Sequence, residues 1–471
     1  MMKIFKNISF WCCFIVLFTG CKSSNMKNAR EVVEIKKPNI LLLFSDDHQQ
    51  DLINALGNPY IQTPNLDSLV SNGLTFTNVY AQAPTCVPSR ASLLTGTSPL
   101  THKSFYPSYA GTFNEELEKW PETMKKTGYI TFWTGKWNAN GDPAKWGIEK
   151  TDALKLGGMG PHEMTVNRNG VPTSGFSSEL FADAAIDFLN ETHDKPFFVT
   201  VAFTAPHDPR TPPEEYKDMY HPNEVPLPAN LYSSYPYEDG FAAIRDEVLL
   251  TYPRNVDSLR QEIADYYGMI SHMDTQIGRI LGALDKRGLK ENTIVIYVSD
   301  NGLAVGHHGL LGKFSFYRHS FNVPLVMNGP NIPKNKKTGT NVYLHDLFPT
   351  ICEMTGTPIP ETVESKSFLP VIQGGNQPVH DYIFGALSNL KRSVTTERFR
   401  LVRHYHAEDS EAPSKAEYLF YDLKNDPLEI VNQIDNPEFV EEITHLKTIL
   451  GNWQKEKQDF LPHIPIASQE E

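Results

Sequence analysis

Positive charge is in short supply in this chain. Its 43 Lys and Arg stand against 56 Asp and Glu, a formal net charge of −13. The global field therefore turns nucleic acid away, and an anionic substrate has to be drawn in by a local positive cavity. Cysteine is scarcer still, with five among 471 residues, and the chain is far too long for a small scaffold held together by disulfides. It has no internal repeat and no low-complexity tract beyond a Pro-rich middle, which leaves the composition of an ordinary globular protein. Long apolar runs are missing too: the one near the N-terminus, residues 8–18, is too short to span a bilayer comfortably. What remains is a chain long enough for a sizeable core and more than one domain.

The N-terminal segment reads as an address. Lys3 and Lys6 precede the apolar stretch and Thr19-Gly20-Cys21 follow it, like a bacterial lipoprotein cleavage site. Phe18 departs from the usual aliphatic residue three positions before that cysteine, so a simple cleaved signal stays open as the alternative. The expectation is a signal peptide over 1–20, lipid on Cys21 and a polar tether over 21–37. The protein would then be exported, periplasmic or at the cell surface, and held to the membrane only by its lipid.

Folded structure is expected from Pro38. The apolar run 39–44 ends in Ser45-Asp46-Asp47 and reads as a strand buried on both faces. Comparable runs stand at 129–134 before Gly135-Lys136, at 197–203 before Pro206-His207, and at 293–298 before Ser299-Asp300-Asn301. In open α/β sheets ligands bind beyond the carboxyl ends of strands, so these four polar payloads can converge. Residues 257–288 and 178–192 carry helical periodicity. Residues 204–252 are rich in Pro and Tyr with little periodicity, and so long a loop in a compact domain is usually functional. Beyond about residue 385 short strand-like runs precede a helix at 439–458.

Asp46 and Asp47 are adjacent carboxylates that repel and need a cation, unless they serve only as a strand-end turn or helix cap. With Asp300 and Asn301 they make three carboxylates and an amide oxygen, which suits a hard divalent ion. The most informative run is Cys86-Val87-Pro88-Ser89-Arg90, continued by Leu94-Thr95-Gly96. It resembles the signature of type I sulfatases, in which the cysteine is oxidised to formylglycine. A hydrated aldehyde carries two hydroxyls on one carbon, one to attack sulfur and one to expel sulfate afterwards, an exit that serine lacks.

The resemblance extends over nearly the whole chain from Pro38 and implies an alkaline-phosphatase-like α/β fold. That fold has a large mixed sheet flanked by helices, a catalytic domain over 38–385 here, and a smaller C-terminal antiparallel sheet subdomain over 386–471. It implies calcium held by Asp46, Asp47, Asp300, Asn301 and the modified Cys86. Arg90, Lys136 and Lys313 would be cations of the site, and His207 the group that protonates the leaving alcohol. His162, and His404 with His406, lie in regions that shape substrate pockets in carbohydrate sulfatases, so His162 is a candidate substrate contact. By the same arithmetic Cys12 and Cys13 leave with the signal and Cys352 alone stays an ordinary thiol.

Two residues depart from the family pattern. Asn138 replaces the histidine of Gly-Lys-Trp-His, the one thought to deprotonate the second hydroxyl. Arg318 replaces the glutamate of Tyr-Glu-His-Ser, read either as tuning for an anionic substrate or as surface drift. The resulting expectation is a calcium-dependent sulfatase acting on O-sulfate esters of a carbohydrate, an algal polysaccharide such as ulvan or carrageenan or a host glycan. A formylglycine-generating or anaerobic maturing enzyme would be its partner. The alternatives are a phosphoesterase of the same fold, which would want Ser or Thr as nucleophile, and a glycan-binding pseudoenzyme, made conceivable by Asn138.

Overall fold

The computed structural model describes residues 37–105, 113–158, 160–237, 246–405 and 417–459. The signal, the tether, Cys21 and His406 lie outside the described residues.

Eight strands form one mixed sheet: β1 (Asn39–Ser45), β2 (Leu74–Phe76), β3 (Ile130–Trp137), β4 (Lys150–Leu156), β5 (Phe197–Ala202), β6 (Thr293–Ser299), β7 (Leu325–Asn328) and β8 (Lys336–Thr338), in the order β8-β2-β7-β6-β1-β5-β3-β4. β1 lies parallel between β5 and β6, and β7 turns antiparallel to β6. All seven residues of β1 are buried because both faces are covered. Ile40, Leu42 and Phe44 alternate into one core with Ile296, Val298 and Trp133. Leu41 and Leu43 face the other with Val199, Val201 and Tyr297, as the two-residue period of a strand requires.

Helices close both cores, the first through Leu93 and Leu94. α1 (Cys86–Thr95) is buried at all ten residues. α2 (Ser177–Asn190) and α3 (Val256–Lys286) lay Leu180, Ala184, Phe188, Met273, Ile277 and Ile280 against the sheet. The start of α3 is fixed by Asn255, whose side chain accepts the Ser258 N–H at 2.9 Å.

One expected boundary moves. The run 129–134 does not end before Gly135-Lys136: β3 continues to Trp137, so Lys136 sits inside the strand. Gly135 makes this possible. It has φ +91°, and a Cβ there would meet the Ala202 carbonyl oxygen at 2.0 Å, so only glycine lets β3 pass β5 at this point.

The C-terminal sheet is antiparallel, β9 (Ile383–Leu387), β10 (Lys391–Thr395), β11 (Phe399–His404) and β12 (Tyr418–Asp422) in sequential order. One face packs on α4 (Val440–Glu456) through Val394, Leu401, Phe420, Leu446 and Trp453. The other packs on Phe314, Phe316 and Tyr317, which follow directly on Lys313. The small sheet thus braces the loop that carries one of the expected site cations.

Candidate active site

The carboxyl ends of β1 and β6 lie side by side, Ser45 opposite Ser299, and bring Asp46, Asp47, Asp300 and Asn301 together. Asp47 takes φ +67°, the left-handed region in which Asp is better tolerated than most residues. Its backbone is fastened on both sides. Its N–H donates to Asp300 Oδ1 at 3.1 Å, and its carbonyl accepts from the Tyr266 hydroxyl, which also receives the Gln49 N–H at 3.1 Å.

Helix α1 starts at this cluster. The Cys86 thiol is 6% exposed and donates to Asp46 Oδ1 at 3.2 Å. Lys313 Nζ approaches its sulfur to 3.1 Å and bonds Asp47 Oδ1 and Oδ2 at 2.8 and 2.7 Å. One turn on, Arg90 Nε pairs with Asp300 Oδ2 at 2.8 Å, Nη1 donates to the Lys136 carbonyl at 3.2 Å, and the guanidinium stacks 4.5 Å from the Phe44 ring. Lys136 pairs with Asp46. His207 turns Nε2 to Asp47 Oδ2 at 3.4 Å, with Nδ1 held 2.7 Å from Asp208 Oδ1. All nine expected catalytic and metal residues therefore converge on one buried cluster.

Their charges act on one another. Burial alone would raise the Asp46 carboxyl, but Lys136, Arg90, His207 and Lys313 together hold it well below its ordinary value. Burial and then Asp46 push Asp300 up to about 6 against the pull of Arg90. Burial and then Asp46 also push the Cys86 thiol well up. As cysteine, residue 86 is a neutral thiol at physiological pH and a poor nucleophile.

The cluster offers ligand atoms for a metal ion. Ligand atoms of Asp46, Asp47, Cys86 and His207 lie within 4.8 Å of one another, with the Asp300 carboxylate bonded to the same backbone. Asn301 donates through Nδ2 to Asp47 Oδ1 at 2.6 Å, while its Oδ1 is buried with no hydrogen-bond partner among the described residues. An orphaned amide oxygen beside carboxylates is what an oxygen-seeking divalent ion would satisfy.

The remaining candidates fall elsewhere. His162 is 3% exposed, with Nε2 2.8 Å from the His207 carbonyl and Nδ1 3.1 Å from Thr204 Oγ1. It lies behind His207 with both ring nitrogens engaged by protein groups. His404 is buried in β11 opposite Lys391. Asn138 is half-buried just beyond β3, and Arg318 is exposed and donates to Gln50 Oε1 at 3.0 Å.

Three contributors carried no usable motif. Asp208 orients His207, Tyr266 clamps Asp47, and Glu247 accepts the Leu311 and Gly312 N–H groups at 3.0 and 2.8 Å while pairing with Arg254. That last set fixes the approach to Lys313. Tyr266 is indistinguishable in sequence from its packing neighbours on α3, and Glu247 sits in an aperiodic loop. Only Asp208 had a signal, its place next to His207.

A buried nucleophile position ringed by fixed cations suits the hydrolysis of an anionic ester. The chain belongs to the sulfatase family, whose profile, described as Sulfatase, matches residues 38–357. A second, described as N-sulphoglucosamine sulphohydrolase, C-terminal, matches residues 306–456. The chain is 31% identical to the arylsulfatase of Clostridium perfringens, over 88% of this chain and 94% of that protein. It is 26% identical to the N-acetylglucosamine-6-O-sulfatase of Bacteroides thetaiotaomicron, over 91% and 88%. Among solved structures, one in complex with its substrate D-glucosamine-2-N,6-O-disulfate superposes with a TM-score of 0.77 at 24% identity, over 91% of this chain and 100% of that one. That likeness shows the alkaline-phosphatase-like fold.

Proposed function

We propose that this sulfatase hydrolyses an O-sulfate ester on a carbohydrate, with Cys86 converted to formylglycine and calcium held by Asp46, Asp47, Asp300, Asn301 and residue 86. The observation that carries the reading is the position of Cys86 Sγ, 3.1 Å from Lys313 Nζ and 3.2 Å from Asp46 Oδ1, in surroundings that disfavour the thiolate. Such a site is of little use to cysteine chemistry and suits a neutral hydroxyl.

Once converted, residue 86 supplies a hydrated aldehyde, one hydroxyl to attack sulfur and a second to expel sulfate on losing its proton. The cation supplies fixed positive charge to the sulfate oxygens. The protein's own side chains do the rest. Lys136 and Lys313 stabilise the charge on the non-bridging oxygens from a site that excludes water. Arg90, anchored on Asp300 and Phe44, keeps residue 86 aimed. His207, with Nδ1 fixed by Asp208, presents Nε2 to the leaving oxygen as the proton donor.

Relatives named for sugar sulfates support a carbohydrate substrate, and the N-terminal residues support export as a lipoprotein of the periplasm or cell surface. Screening defined sulfated oligosaccharides with detection of free sulfate tests the activity. Mass spectrometry of the peptide spanning residues 86–90 tests the conversion: loss of sulfur with gain of an aldehyde oxygen is expected, and an unmodified thiol throughout active protein overturns it.

A further inference from the structure

We propose that Lys155, paired with Lys136 across β3 and β4, recognises a second anionic group of the substrate, sulfate or carboxylate. The proposal rests on the sulfatase reading and adds to it the number of charges the substrate carries.

The backbone departs from regularity to deliver this residue. β3 and β4 pair in parallel, with Phe132 opposite Lys150, Trp133 opposite Thr151 and Thr134 opposite Asp152. The register then jumps, so that Gly135 meets Leu154 and Lys136 meets Lys155. Ala153 is the extra residue, buried and at φ +49°, a conformation costly for an alanine. Were Ala153 paired in register, Leu154 would face Lys136 and Lys155 would slide to Trp137. Because side chains alternate along a strand, one inserted residue reverses the face that every following side chain takes. The bulge sets two lysines side by side on adjacent strands, at the end of the sheet where the site lies.

Their charges are treated differently. Lys136 is matched by Asp46. Lys155 is half-buried, its ammonium donates to the Leu156 carbonyl at 3.0 Å, and it pairs with no carboxylate among the described residues. Burial, and then the charge of Lys136, hold that ammonium below its ordinary value. A partly desolvated cation beside another cation is unfavourable, and an anion arriving from solvent would relieve both terms.

The chain that follows Lys155 lies in the open. It begins beside Lys136, which pairs with Asp46 in the catalytic cluster. Leu156 is 61% exposed, and a Cβ on Gly157, Gly158 or Gly160 would meet nothing within 4 Å. The backbone just beyond Lys155 thus stands clear of neighbouring groups.

The test uses 4-nitrophenyl sulfate as reporter substrate and three competitors: D-glucosamine-6-O-sulfate, D-glucosamine-2-N,6-O-disulfate, and a 6-O-sulfated disaccharide carrying a uronic acid. The wild type is expected to bind at least one doubly charged competitor about two- to fivefold more tightly than the monosulfate, the scale of one partly screened charge pair. Which competitor gains tells sulfate from carboxylate. Lys155→Gln should bring that ratio near one and Lys155→Arg should keep it. Taking the ratio cancels any general effect on turnover. A wild type without preference, or a Lys155→Gln enzyme that retains it, overturns the proposal. Failure of the wild type to cleave any sulfate ester overturns the sulfatase reading, and this inference with it.

Discussion

His162 Nε2 and the carbonyl oxygen of His207 are 2.8 Å apart, and this bond assigns the tautomer of the first ring. A carbonyl only accepts, so in the neutral ring the proton is on Nε2, and Nδ1 accepts from the hydroxyl pair of Thr204 at 3.1 Å and Ser177 at 3.3 Å. Burial lowers the His162 ring to about 4, consistent with a neutral imidazole used as a strut. His162→Ala should therefore lower kcat by roughly 10-fold or more through a misplaced His207, with a smaller change in KM. The orphaned carbonyl should cost about 1–3 kcal/mol of stability. His162→Gln, which can still donate to that carbonyl, should recover part of both. A KM rise with kcat intact would make His162 a substrate contact after all.

Chelation should abolish turnover and added calcium restore it. Asp300 needs care as a test residue, because its carboxylate also neutralises the buried Arg90. Asp300→Ala should lose stability as well as activity, since stranding one partner of a buried ion pair costs about 3–5 kcal/mol. Asp300→Asn should lose activity with a smaller fall in Tm. Restoration by zinc with calcium inert would point to a phosphoesterase instead.

Asn138 stands just past the end of β3, where the family pattern has histidine, and an amide cannot act as a base. A general base is worth ~10²–10⁴ in rate, so release of sulfate should be slow. Asn138→His should preserve or raise turnover, and His207→Ala should abolish it. Pre-steady-state sulfate release measures the effect; loss of activity in Asn138→His would make Asn138 a binding group in its own right.

Stability should fall on the acid side of neutrality. His102 Nδ1 accepts the Ser104 N–H at 3.0 Å and Nε2 meets Ser92 Oγ at 2.9 Å, an arrangement that only the neutral ring satisfies. Burial, and then His345, lower His102 to about 3, and burial lowers His345 to about 4. In the unfolded chain both titrate near ~6.5. The unfolded state therefore binds more protons as pH falls below that value, and the stabilisation, complete above about pH 6.5, is lost progressively toward pH 4. Tm should drop between pH 7.5 and 5, and less steeply in His102→Gln. A flat profile would refute the argument.

Cys21→Ala should move the protein from the membrane to the soluble fraction in a bacterial host, as judged by detergent partitioning. Identical behaviour would indicate a simple cleaved signal.

The elements that converge on the site were legible wherever apolar runs ended in polar residues. The runs beginning at Asn39, Phe197 and Thr293 are buried on both faces, so their composition leaves little choice of structure. The end of β3 was misjudged because Gly135 reads as a breaker, whereas its close approach to Ala202 lets the strand continue. Nothing local in the sequence says which way the His162 ring points; its partners, Thr204 and His207, are some forty residues away. Ala153 was invisible for a similar reason, since a bulge is defined by the partner strand and an alanine at positive φ leaves no mark in the sequence.

The complete burial of α1 imposes an order of events. Every residue from Cys86 to Thr95 is enclosed, so the proposed conversion of Cys86 would have to come before the helix packs. Folding would close the window. On that reading, a chain folded with its thiol intact could be matured only after being unfolded again. The fraction of active molecules in a preparation would then be set by a race between modification and folding, and slowing the second should raise it.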